Sequence, residues 1–307
     1  MELSHSDLEE RRAGILLHPT SLPGGPGNGD IGPEAYRFVD FLIRCGATVW
    51  QMLPLGPTHE EGSPYHSLSA HAGNPLLISA EHLAEEGWLT LDEEAEDAAD
   101  AHTLRWQRLR RAYAALDDHA EAAKAAFVRE QADWLEDFVL FMALRHDYGG
   151  AWWEWPEPLR DRDKEALAAE RQRLAREMDF HRFVQWQFFR QWTALKAYAN
   201  ARAIRLFGDM PIFVAHDSAE VWANRRYFAL DTTGQPESVA GVPPDYFSET
   251  GQYWGNPHYR WDRLAEDGYG WWIDRLRTQL QLFDWIRIDH FRGFRAFWAI
   301  PNGAEAV

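Results

Sequence analysis

The fold class the sequence predicts is α/β, a (β/α)8 TIM barrel interrupted by a large helical insertion. Three observations predict it. Near the N-terminus two short apolar runs flank an amphipathic segment, a strand–helix–strand spacing whose crossover is right-handed and parallel. At about residue 81 the texture changes to an Ala-, Glu-, Arg- and Leu-rich stretch with almost no glycine, and at about residue 203 it changes back. Two further apolar runs then follow with a helix between them. Strands that are apolar on both faces and alternate with helices suit a barrel better than a sandwich.

The elements follow in order. Ile15-Leu-Leu-His-Pro19 reads as the first strand, and residues 34–44 as a helix with Tyr36, Phe38, Val39, Phe41 and Leu42 apolar. Residues 48–53 read as the second strand, so residues 1–80 form the first part of the barrel. Residues 81–202 form the insertion. There Trp106, Leu109, Tyr113 and Leu116 recur at helical spacing, as do Phe183, Trp186, Phe189 and Trp192, which marks core rather than a ligand platform. Residues 203–307 return to the barrel. A third strand at 204–207 runs into Gly208-Asp-Met-Pro-Ile-Phe-Val214. Asp217 with Glu220 three residues on reads as a helix N-cap and its reciprocal partner. A long Gly-, Pro- and aromatic-rich loop, which includes residues 242–256, precedes a helix near 262–282 and a fourth strand at 285–288. A full barrel needs eight strands. Only about the first four are legible before Val307, so the chain is expected to be the N-terminal portion of a longer protein.

Composition narrows the function. The 307 residues carry 48 acidic and 31 basic side chains, a formal charge of −17. That charge argues against a nucleic-acid backbone or an anionic membrane surface as the main partner. No apolar run approaches the ~20 residues of a membrane span. The opening residues Met1 to Glu10 are acidic, unlike a signal peptide. Cys45 is the single cysteine, so neither an internal disulfide nor a cysteine metal cluster is available. A cytoplasmic protein is expected. The excess lies in aromatics, with 16 Trp, 17 Phe and 10 Tyr. Most suit cores, but those flanked by Gly, Pro and Asn, such as Trp254, also suit the flat faces of sugars.

In such barrels the functional residues lie at the C-terminal ends of strands. Asp209 follows the third strand, and Arg287 and Asp289 close the fourth. Residues two apart on a strand share a face, so Arg287 and Asp289 point the same way. A guanidinium beside a carboxylate favours its ionised form, as a nucleophile toward an anomeric carbon requires. From spacing alone, a structural Arg–Asp ion pair explains the same pattern equally well.

Ile286-Arg-Ile-Asp-His-Phe-Arg-Gly293 resembles the nucleophile strand of the α-amylase clan, specifically the 4-α-glucanotransferase family (amylomaltase or disproportionating enzyme). The resemblance covers most of the chain. It includes His18-Pro-Thr-Ser-Leu-Pro23 with Gly29-Asp-Ile-Gly32, and Gln51-Met-Leu-Pro-Leu-Gly-Pro57 with Gly62-Ser-Pro-Tyr65 and Gly73-Asn-Pro75. It continues through Gly208 to Val214, Gly241-Val-Pro-Pro-Asp-Tyr-Phe-Ser248 and Gly251-Gln-Tyr-Trp-Gly-Asn-Pro257. The resemblance implies that Asp289 is the nucleophile of a covalent glucosyl–enzyme intermediate and Arg287 its partner. It implies that His290 and Asp209 contact the sugar at the cleavage site, that Tyr65 stacks under that sugar with Ser63 nearby, and that Phe247 and Trp254 guide the glucan chain. It implies α-1,4-glucans and maltooligosaccharides as partners, and no cofactor or metal.

One requirement is unmet. A retaining glycosidase needs a second carboxyl group, the acid/base, roughly 5 Å from the nucleophile. In the family it is a glutamate after strand five, which would lie beyond residue 307. Glu154, Glu220, Glu237 and Glu249 sit in a helical insertion, a cap or loops and offer no replacement. The fragment alone is therefore expected to be inactive. The leading expectation is a 4-α-glucanotransferase. The alternatives are an α-glucan hydrolase of the same clan, in which water takes the intermediate, and a non-catalytic glucan-binding fragment.

Overall fold

A computed structural model describes residues 10–91, 100–246, 248–301 and 303–304. The chain opens with β1 (Gly14–Leu16), then α1 (Pro33–Arg44) and β2 (Val49–Gln51). Pro33 sits in the first turn of α1, where its missing N–H costs nothing, and Glu34 and Arg44 complement the helix dipole at its two ends. Ala35, Val39 and Leu42 line the buried stripe.

Helices then dominate: α2 (Ala80–Glu85), α3 (Ala101–Ala114), α4 (Asp118–Glu130), α5 (Ala132–Tyr148), α6 (Glu157–Arg160), α7 (Lys164–Arg173) and α8 (Ala175–Asn200). The 26-residue α8 is the spine, packing against α1, α3, α4, α5 and β3. Phe183, Trp186, Phe189 and Trp192 are all buried, as the periodicity predicted. Two of its three glutamines, Gln185 and Gln191, act as amide clamps. Gln185 exchanges hydrogen bonds of 2.8 and 3.0 Å with the backbone N–H and C=O of Gly73, and Gln191 does the same with Ser79. Gly73 must be glycine, because a Cβ there would overlap the Phe188 ring. These clamps tie the segment after β2 to the insertion.

After α8 come β3 (Arg205–Met210), α9 (Ala219–Ala223), β4 (Ser238–Val242), β5 (Gln252–Pro257), α10 (Trp261–Glu266), α11 (Gly270–Leu282), β6 (Trp285–Ile288) and β7 (Trp298–Pro301). Four strands form a parallel sheet in the order β1-β2-β3-β6. Leu16, Gln51, Phe207 and Trp285 stand in one row across it, and Ile15, Trp50, Leu206 and Ile286 include or flank its alternate positions. The two faces differ. Trp50 and Leu206 are fully buried against helices, whereas Leu16 is 54% exposed and Arg287 is also exposed. The strands are apolar on both faces, and in the described residues only one of those faces is closed.

Three expectations are corrected. The N-cap of α9 is Ser218, whose hydroxyl accepts from the Val221 N–H, not Asp217. Asp217 instead receives the Arg145 guanidinium, and Glu220 is buried and accepts the Ser69 hydroxyl at 2.7 Å. The single helix expected at 262–282 is two helices, because Gly268 and Tyr269 are both left-handed, with φ of 62° and 59°. Finally, the stretch read as a long loop carries the strands β4 and β5, which join β7 in an antiparallel sheet of order β5-β4-β7, and only residues 243–251 connect β4 to β5.

No helix of the described residues is long and apolar enough to cross a membrane.

Candidate functional site

Asp209 and Arg287 are direct register partners on the adjacent parallel strands β3 and β6. Strand alternation turns both side chains to the sheet's open face. There Arg287 Nη1 donates to Asp209 Oδ2 at 2.7 Å, and Nη2 donates to Asp289 Oδ1. The Asp289 N–H continues the ladder to the Met210 carbonyl at 2.9 Å, fixing the carboxylate at the C-terminal edge of the sheet. The guanidinium thus holds two carboxylates at once. The pairing expected of Arg287 and Asp289 is present, and Asp209 is joined to it.

Asp209 is the buried member, with a side chain 2% exposed. Burial pushes its pKa above the usual carboxylate range, opposed by the Tyr65 hydroxyl and Arg287. The Tyr65 O–H donates to Asp209 Oδ2 at 2.7 Å. Burial and that hydrogen bond push the phenol up to about 12, so Tyr65 stays a donor throughout the neutral range. Burial opposes the charge on Arg287, but Asp209 and Asp289 outweigh it and raise its pKa further. Asp209 Oδ1, buried, has no hydrogen-bond partner among the described residues.

In front of this network lies a cleft of about 390 Å³. Ser63, Tyr65, Trp254, Asp289 and His290 all line it. The backbone of His290 is left-handed, with φ 50°, a conformation in which His is several-fold enriched among non-glycine residues. It turns the chain out of the strand into the short 3-10 helix Phe291–Phe294. The His290 ring meets Trp254 edge to face, with centroids 5.0 Å apart. Of the residues singled out in the sequence, Phe247 lies outside the described residues.

Several lining residues were not foreseen: His66, Pro211, Ile212, Phe213, Gln252, Tyr253 and Asn256. The signal for Gln252 was available. Had 252–257 been read as a strand, period two would have set Gln252 beside Trp254, and Trp254 Nε1 does donate to Gln252 Oε1 at 3.0 Å. His66 had no such signal, since its role depends on a strand 188 residues away. Asp289 is the one carboxylate lining the cleft among the described residues. The four glutamates weighed as a second one are elsewhere: Glu154 accepts from the Ala151 N–H, Glu220 is buried beside Ser69, Glu237 pairs with Arg260, and Glu249 is exposed in a turn. No group of three or more His, Cys, Asp or Glu among the described residues is placed to hold a metal ion.

The family model described as 4-alpha-glucanotransferase matches residues 17–307. The chain is 53% identical over 301 residues to the 4-alpha-glucanotransferase of Thermus thermophilus, covering 95% of this chain and 60% of that relative. It is 49% identical to that of Synechocystis sp., covering 98% and 62%. Among solved structures, amylomaltase from Streptococcus agalactiae in complex with acarbose matches with a TM-score of 0.91 at 40% identity, covering 96% of this chain and 62% of that one. The chain therefore spans about three-fifths of the length of the relatives it matches. With a family model matched from residue 17 to residue 307, the chain belongs to the 4-alpha-glucanotransferase family.

Proposed function

We propose that this chain carries the donor site of a 4-α-glucanotransferase, with Asp289 as the nucleophile of a retaining reaction. One observation carries the reading: Arg287 holds Asp289 and the buried Asp209 together at the end of two parallel strands, facing a cleft walled by Tyr65 and Trp254. In this reading Asp289 Oδ attacks the anomeric carbon of a glucosyl unit. The glycosidic bond breaks, its oxygen leaves on the shortened glucan after taking a proton from the acid/base, and a covalent glucosyl ester remains. The 4-hydroxyl of a second sugar then attacks the same carbon, gives its proton to the acid/base, and releases Asp289. Asp209 and His290 hold the sugar at the cleavage point, Tyr65 lies under it with Ser63 beside it, and Trp254 and Phe247 guide the longer chain. The substrates are α-1,4-glucans and maltooligosaccharides, consistent with the acarbose bound by the amylomaltase relative.

The reading also takes the parallel sheet as the first four strands of a (β/α)8 barrel, contributed by residues 1–80 and 203–307, with 81–202 as an insertion. The open face that carries Leu16 and Arg287 supports this, since a barrel fills that face with side chains from its other strands. The acid/base is assigned to the length that the relatives have and this chain does not span.

A second reading, glucan binding without turnover by these 307 residues, is favoured by Asp289 being the one carboxylate on the cleft among the described residues. Incubation with maltotriose separates the possibilities. Transfer by a chain extended to the relatives' length gives glucose and longer maltooligosaccharides, and hydrolysis gives maltose and glucose. The 307-residue chain is expected to bind and give neither. Turnover by that chain alone would overturn the assignment of the acid/base.

A further inference from the structure

We propose that His66 is a positioning residue that fixes Trp254 against the cleft; the proposal rests on the reading of Trp254 as a glucan-handling residue. β5 pairs with β4 out of step. It advances from Tyr253 to Pro257 while β4 moves only from Gly241 to Val239, so Trp254, Gly255 and Asn256 have no register partner. Gly255 takes φ 76° within this bulge, which a residue with a Cβ adopts only under strain. Bulges re-aim side chains and occur beside active sites, but they also loosen the ladder locally. Gln252 and the His290 ring touch the indole itself, so something else must hold the backbone that carries it.

The His66 ring does so from the opposite wall. Its Nε2 lies 3.1 Å from the Trp254 carbonyl oxygen. A carbonyl only accepts, so Nε2 is the donor. Nδ1 lies 3.2 Å from Glu61 Oε1, an acceptor that orients the ring from its other side when both ring nitrogens carry a proton. The loop that presents His66 is closed on itself by the Thr58–Ser67 bridge and by the Leu68 N–H to Pro57 carbonyl bond of 2.8 Å. Two consecutive residues of this loop therefore anchor it to two different sheets. Tyr65 bonds Asp209 on β3, and His66 bonds Trp254 on β5. The Tyr65 anchor serves the sugar at the cleavage point, whereas the His66 anchor serves the sugars that follow it along the chain.

The test uses the 307-residue chain and three variants, His66→Phe, His66→Gln and Trp254→Ala. The Gln amide nitrogen reaches the place of Nε2 and keeps the donor, while Phe keeps the ring and removes it. Maltoheptaose affinity and hydrogen exchange of peptides covering 252–257 are both measured. The expected result is a roughly two- to tenfold loss of affinity in His66→Phe, the size of one lost hydrogen bond. Faster exchange at 252–257 should accompany it, with both restored in His66→Gln. Unchanged exchange in His66→Phe overturns the anchor itself. Faster exchange with unchanged affinity overturns its role in glucan handling. Equal losses in His66→Gln and His66→Phe overturn the hydrogen bond as the cause. Failure of the underlying reading is seen separately, as Trp254→Ala binding maltoheptaose like the parent.

Discussion

The two sheets that meet at the cleft are held by different forces. The parallel sheet has a face sealed by helices, where Trp50 and Leu206 are fully buried and the Trp50 indole also donates to the Leu17 carbonyl at 2.8 Å. The antiparallel sheet is bulged and glycine-bearing, and Gln252 and Tyr253 at the start of β5 are exposed. Close packing leaves side chains on the first sheet one position, while polar contacts across loops leave the second more able to open locally. The chemistry and the substrate handling are divided along that line. Asp209, Arg287 and Asp289 stand on or at the end of the packed strands, and Trp254 stands on the bulged one.

Four predictions break or sharpen this contrast, the first three on the packed side. Asp289→Asn, in a chain extended to the length of its relatives, should reduce glucan transfer by a factor on the order of 10⁴ or more while leaving glucan affinity nearly intact. A variant that retained a few per cent of activity would move the nucleophile elsewhere. Trp50→Ala should destabilise the chain by about 3–5 kcal/mol in denaturant unfolding, the usual cost of emptying a buried aromatic site. A loss below 1 kcal/mol would mean that the sealed face is not what holds the sheet.

The third concerns pH. Asp30, in the loop after β1, is pushed up to about 6, chiefly by burial and against the Arg105 guanidinium. Between the unfolded value near 4 and the folded value near 6, the native state binds more protons than the unfolded one. Stability contributed by this group therefore falls as pH rises through that window, by at most about 3 kcal/mol. Unfolding midpoints across pH 4–7 should show that slope, and Asp30→Asn should flatten it. A slope that persists in Asp30→Asn belongs to another group.

The smallest effect is expected on the bulged side. Trp254→Ala, and Phe247→Ala with it, should weaken binding of long glucans by ~0.5–1.5 kcal/mol each beyond area burial and spare maltotriose. Equal losses on short and long substrates would show a collapsed loop instead of a lost stacking face.

Much of this was legible because the responsible forces are local. Strand–helix–strand spacing placed β1, α1 and β2, and the aromatic stripe of α8 marked its buried side before any packing was known. Arg287 and Asp289, two apart at the end of one strand, had to share a face. The motifs around Tyr65, Asp209 and Trp254 carry the family because they occur together and in order along the chain. Other features depend on partners far away in sequence. The hydroxyl that caps α9 belongs to Ser218 because Asp217 is drawn to Arg145 on α5. The break between α10 and α11 combines left-handed Gly268, a helix-stop signal in the sequence, with left-handed Tyr269, a residue type that does not announce such a turn. β4 and β5 carry glycine and proline and read as loop, since pairing energy that comes from another strand leaves little mark on the strand itself. Residue order alone thus specifies the periods of the parallel strands and of α1 and α8, and the residue types at the strand ends. Only the tertiary structure decided that Arg287 grips Asp209 as well as Asp289, and that His66 faces Trp254, because those contacts are made by chain segments that folding alone brings together.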